Sequence, residues 1–146
     1  MNQYYLQLEK RADKGDTPYN LRNCAYMEDF FKQKIMYSEI VREPQFYLDK
    51  NGEFFAEATS FIMTGEHLEY LYHLLNSKTA TYFFKTFYAG GGLGNEGFRY
   101  KKAFLEKLPI PPYNKNIDIN KDNANDIICK LYELNEAEIK FLEDHF

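Results

Sequence analysis

A fold that mixes strands and helices, α/β in content and of the α+β kind, is predicted by three stretches of the sequence. Residues 34–41 (KIMYSEIV) are rich in β-branched and aromatic residues, which suit a pleated, half-buried surface. Asp49-Lys50-Asn51-Gly52 separates Phe46-Tyr47-Leu48 from Glu53-Phe54-Phe55, and Asn-Gly between apolar runs signals a hairpin. Leu68, Leu71, Tyr72 and Leu75 then recur at i, i+3, i+4 and i+7, the stripe of a helix with one face on a core.

The remaining elements follow in chain order. Residues 2–13 predict a helix on Tyr5, Leu8 and Ala12, stopped by Lys14-Gly15-Asp16. Residues 17–22 read as an extended entry and residues 27–31 as a short helical turn. The strand over 34–41 is broken by Pro44, and residues 58–63 form another strand. Thr64-Gly65 ends that strand and caps a helix from Glu66. Asn76-Ser77 marks a turn before a second helix over 78–88. Residues 114–125 are polar and linker-like. A last helix spans 124–143, with Ile127, Leu131, Leu134, Ala137 and Phe141 near a heptad seam. The expected organisation is one domain over residues 1–113, a linker over 114–123 and an acidic helix over 124–146.

At 146 residues the chain is long enough for one domain with a core. Thirteen Phe and thirteen Tyr, without Trp, suit a core with a wet, recognising surface. The net charge of −4 is uneven. Residues 116–146 carry −5, whereas residues 78–107 carry +4, a local field that steers a polyanion. Cys24 and Cys129 are too few for a disulfide framework or metal site and fit a reducing cytoplasm. No apolar run reaches the length of a membrane span, so no membrane partner is expected.

Chemistry concentrates between Tyr82 and Pro112. Five glycines fall within the eight residues 90–97, directly followed by Phe98-Arg99-Tyr100-Lys101-Lys102. Glycines let a backbone approach a ligand closely, and Arg and Lys offer donors to phosphates and base edges. Arg99 suits a guanine or a phosphate, and Lys101 and Lys102 suit phosphates. Tyr100 is placed to stack or to pack, facing away from Arg99 and Lys101 in a strand. Gly91, Gly92, Gly94 and Asn95 supply the close approach, and Arg22 and Lys34 stand near the first strand as further cations. Gly92–Gly97 matches G-x-G-x-x-G but lacks the preceding strand of a dinucleotide site, so a small-molecule site there ranks last. Ile110-Pro111-Pro112-Tyr113 imitates the Asn-Pro-Pro-Tyr of amino-methyltransferases, but Ile110 cannot bond an amino group. His67, His73 and His145 have no ligand spacing. No catalytic set is evident, and no cofactor is expected in this chain.

The order of Asn20-Leu21-Arg22, residues 34–40, the Asp49–Gly52 turn, Ile62-Met63-Thr64-Gly65, Leu74-Leu75-Asn76-Ser77-Lys78 and Gly97-Phe98-Arg99-Tyr100-Lys101-Lys102 followed by Leu108-Pro109-Ile110-Pro111 resembles the TaqI-like C-terminal specificity domain. That module is the target-recognition domain of adenine-specific DNA methyltransferases and type IIG restriction-modification enzymes. The resemblance implies a curved, mostly antiparallel β half joined to a helical half. It implies double-stranded DNA as partner, and a catalytic methyltransferase domain, in the same polypeptide or a partner subunit, that holds S-adenosylmethionine and the Asn-Pro-Pro-Tyr site. The alternative from another class is a protein-interaction module, in which the aromatic surface and last helix dock a partner without touching DNA.

Overall fold

The computed structural model describes residues 2–12, 15–17, 19, 25–88 and 97–145, and all that follows concerns these. Five strands and six α-helices run in the order α1 (Tyr5–Glu9), β1 (Lys34–Ser38), β2 (Ile40–Val41), β3 (Tyr47–Asp49), β4 (Ser60–Met63), α2 (Leu68–Leu75), α3 (Lys78–Phe87), β5 (Phe98–Arg99), α4 (Lys102–Leu105), α5 (Ala124–Leu131) and α6 (Glu136–His145). Short 3-10 turns occupy Asn2–Tyr4 and Met27–Phe31. The fold is α+β, with helices beside two small antiparallel sheets. One sheet has the order β3-β1-β4 and the other pairs β2 with β5.

The run over 34–41 forms strands, but in two sheets. Ile35 lies opposite both Leu48 and Met63 in the first sheet, whereas Ile40 lies opposite Arg99 in the second. The chain changes sheets at Glu39, whose carbonyl accepts the Tyr100 N–H at 2.7 Å. The expected hairpin does not form. β3 pairs with β1, and residues 53–55 have no strand partner. The cause is Asp49: its carboxylate accepts the backbone N–H groups of Gly52, Glu53 and Phe54 at 3.0, 3.1 and 3.0 Å. Those donors are lost to any ladder, and the chain turns aside. Gly52 takes a φ of +69°, and a Cβ there would stand 2.2 Å from the Phe31 carbonyl oxygen.

Three helices also differ from expectation. The first is short, and none of its side chains is buried, so no core face sustains it. The second begins at Leu68, because His67 sits in a left-handed conformation at its N-cap. The last is two helices. Glu133 has a φ of +54°. Its N–H bonds the Lys130 carbonyl, and the Leu134 N–H bonds that of Cys129, each at 3.0 Å, a Schellman stop without glycine. Asn135 then restarts the chain. Its Oδ1 accepts from Ala137 and Glu138 N–H groups, while Glu138 accepts the Asn135 N–H, a capping box.

One core joins the layers. Ile35, Leu74, Phe84 and Ile128 are fully buried, and Phe46, Phe98 and Tyr100 pack among them. α3 follows its sequence signals: Ser77 Oγ caps it by accepting the Ala80 N–H at 3.2 Å. Asn76 behaves like a strand partner to Phe46, accepting its N–H and donating to its carbonyl. The proline-rich segment is strapped down by two phenols. Tyr70 donates to the Pro111 carbonyl at 2.8 Å and Tyr132 to that of Pro109 at 2.7 Å. Burial, with Tyr70 nearby, pushes the Tyr132 phenol up to about 12.

Candidate nucleic-acid interface

The basic segment is positioned by alternation. Pairing of Phe98 with Val41 turns Phe98 inward, so Arg99 points out, Tyr100 in and Lys101 out again. Lys101 is the N-cap residue of α4, and Lys102 begins that helix. Arg99 and Lys101 are exposed and have no ion-pair partner among the described residues. Lys102 lies 3.6 Å from Glu106 across one helical turn, which offsets part of its charge.

Around Phe104 the structure assembles a group that residue-by-residue reading of the sequence missed. The ammonium groups of Lys101 and Lys107 each lie 6.0 Å from the centre of its ring. The Tyr88 ring lies nearly parallel to it at 6.1 Å, and the Tyr88 hydroxyl reaches the Lys107 carbonyl at 3.3 Å. Lys85 sits 4.8 Å from the centre of the Phe98 ring. At Lys101 and Lys107 such contacts orient a cation at an aromatic face while leaving its outer hydrogens for a phosphate. The spacing of 101, 104 and 107 was the available signal, since residues three apart neighbour one another on a helical surface.

Two of the sequence-predicted contacts are corrected. Lys34 is wholly buried and forms an ion pair with Asp49, also donating to the Phe30 carbonyl at 2.6 Å. From there it reaches no DNA. Burial opposes ionisation of Asp49, but the Lys34 ammonium and the Phe54 and Glu53 N–H groups overcome it, holding the carboxyl at about 2. Tyr100 packs rather than stacks on bases. Its ring lies 4.6 Å from Phe84, 4.8 Å from Phe46 and 5.0 Å from Phe98. Burial holds its phenol well above the ordinary range, slightly offset by Thr81 nearby, and its hydroxyl makes no hydrogen bond among the described residues. Gly91, Gly92, Gly94, Asn95 and Arg22 lie outside the described residues.

The segment that imitates a methyl-transfer motif is otherwise engaged. The Pro111 carbonyl is taken by Tyr70, and Tyr113 stacks on His67 at 3.8 Å. Ile110 offers no polar atom beyond its backbone, so these residues do not fit S-adenosylmethionine chemistry. Among the described residues no helix is long and apolar enough to cross a membrane. A family model for the TaqI-like C-terminal specificity domain matches residues 1–110 of the chain. Comparison with curated proteins gives no match.

Proposed function

The chain belongs to the TaqI-like C-terminal specificity domain family, which supports a DNA-recognition role in restriction-modification, and from that premise we propose that Arg99, Lys101 and Lys107 are the groups through which it holds its target. The observation that carries this is the outward pair Arg99 and Lys101, anchored on either side of buried Tyr100 and without counter-ions among the described residues. Arg99 has the planar fork that matches a guanine edge bidentately. Lys101 and Lys107, held at the Phe104 ring, are point charges for phosphates. Segment 89–96, with Gly91, Gly92, Gly94 and Asn95, supplies the groove contact between Tyr88 and Gly97.

In this reading the chain selects the site, and the chemistry belongs elsewhere. A catalytic methyltransferase domain, in the same polypeptide or a partner subunit, methylates an adenine turned out of the stack, using S-adenosylmethionine. A nuclease domain adds cleavage where the parent is of the type IIG kind. The work is done in the cytoplasm, where the DNA is.

The test is selection of duplexes from a random pool by the 146-residue chain, followed by titration at several salt concentrations. Arg99→Ala is expected to relax selection at one base pair, a loss of about 1–3 kcal/mol on the preferred duplex. Retention of target choice and affinity by Arg99→Ala would remove Arg99 from the interface.

A further inference from the structure

One cavity among the described residues is lined in part by Lys102, Leu105, Glu106 and Leu108, though neither Arg99 nor Lys107 lines it. It is an open groove of about 840 Å³ between β4, the Met27–Phe31 turn and α4. Its floor and walls are largely apolar, with Phe61, Ile62, Leu71 and Ile110 among them. A second, smaller depression lined by Tyr47, Phe54 and Phe55 shares Tyr37 and Ser60 with it, so the two are neighbours. The strap between Phe54 and Ser60 forms the ridge that separates them.

That ridge exposes rings rather than hiding them. Phe55 is 55% exposed although it stacks on Phe30 at 5.1 Å and meets Phe31 edge-on at 5.5 Å. Phe54 meets Tyr47 edge-on at 5.6 Å and is also exposed. Rings that are held by one another, stiff and yet wet, are the usual anchors of a protein interface. A cluster of exposed, mutually packed rings of this kind marks a site of association.

The charge around the groove selects the occupant. Glu28, Glu53 and Glu57 are exposed and have no ion-pair partner among the described residues. The neighbouring lysines are already engaged, Lys32 with Asp29 at 2.9 Å and Lys50 with Glu69 at 2.7 Å. At the rim Lys102 faces Glu106. The field is therefore negative, which repels a nucleic acid and attracts lysine and arginine. The protein thus carries two groups of opposite kind: cations around Phe104, and on the strap at Phe55 aromatics with Glu53 and Glu57 beside them in the chain.

We propose that this groove and its Phe54–Phe55 ridge dock a protein segment that brings apolar anchors and a lysine or arginine to Glu57. The apolar side chains fill the space beside Ile62 and Leu71, and the cation closes over the strap. Neither Arg99 nor Lys107 lines the groove, so either reading can fail alone.

The test uses the full chain and three probes: a synthetic peptide alternating leucine with lysine, its leucine–glutamate counterpart, and a random-sequence duplex DNA. Binding is followed by fluorescence titration, and its place by methyl chemical shifts of Ile62, Leu71 and Ile110. The expected result is saturable binding of the lysine peptide with shifts at these methyls, and no such shifts with the other two probes. Glu57→Lys, an exposed change whose fold is checked by its melting temperature, is expected to weaken that binding about tenfold. Phe55→Ser is expected to weaken it as well. Four outcomes overturn the proposal: equal binding of the two peptides, no binding of either, duplex DNA shifting the same methyls, or a concentration-dependent dimer of the chain that maps to them.

Discussion

Lys34 and Asp49 form an ion pair with both side chains withdrawn from water, 0% and 2% exposed. The pair ties together three parts of the chain. Lys34 also holds the Phe30 carbonyl, and Asp49 also holds the turn through Phe54. Removing one partner leaves the other buried and unpaired. Asp49→Asn is therefore expected to cost about 3–5 kcal/mol in urea unfolding, and joint replacement by Met and Leu is expected to be no milder, because it also strips the Gly52, Glu53 and Phe54 N–H groups and the Phe30 carbonyl of their partners.

The same carboxyl gives a pH signature. Its value in the folded chain, about 2, lies below the ordinary 3.8. Stability from the pair is then complete above the unfolded value and is lost as pH falls through the folded one. Between pH 5 and pH 1 the wild type is expected to lose on the order of 2 kcal/mol that Asp49→Asn no longer has to lose. Parallel unfolding curves of the two proteins down this range check the sign.

Tyr100 supplies an inverse case. Its hydroxyl is buried without a partner among the described residues, so the polar atom is a cost rather than a bond. Tyr100→Phe is expected to leave stability unchanged or raise it by about 1 kcal/mol, and to leave DNA affinity as it was. A large loss of DNA affinity in a well-folded Tyr100→Phe protein would return this residue to the interface.

The lysines at and beside α4 are distinguishable. Lys102 faces Glu106, whereas Lys101 and Lys107 face a ring. Lys101→Ala and Lys107→Ala are each expected to lower affinity for all duplexes and to reduce the salt slope by about 1. Lys102→Ala is expected to change both less. Salt titrations on one duplex order the three.

Glu133 occupies a left-handed position where glycine meets no steric penalty. Glu133→Gly is expected to stabilise the α5–α6 junction by about 0.5–1 kcal/mol in thermal or urea unfolding. A loss of stability there would mean that the Glu133 side chain contributes more than its backbone costs.

Much of this architecture was legible where a signal is local. The strand run from Lys34, the Ser77 cap and the inward turn of Tyr100 all follow from neighbouring residues. The Asn135-x-x-Glu138 capping box was also written in the sequence, though the heptad-like stripe running across it pointed to one continuous helix. The burial of Lys34 was not legible, because its partner is fifteen residues away and the sheet alone brings them together. The hairpin failed for a related reason: Asn-Gly predicted a turn correctly, but the side chain of Asp49 outcompeted the ladder for the donors of residues 52–54. In the candidate site, the outward step of Arg99 and Lys101 follows from strand alternation. The role of Lys107 needed the Phe104 ring to become visible.

The stretch over residues 89–96 is pinned on both flanks. Tyr88 is fixed against Phe104, and Phe98 is buried and paired with Val41. The stretch can therefore be exchanged as a cassette: doubling its length adds only about 0.6 kcal/mol of closure entropy. Under the proposed function, segments of foreign sequence spliced between Tyr88 and Gly97 are expected to change target preference, which duplex selection from a random pool checks.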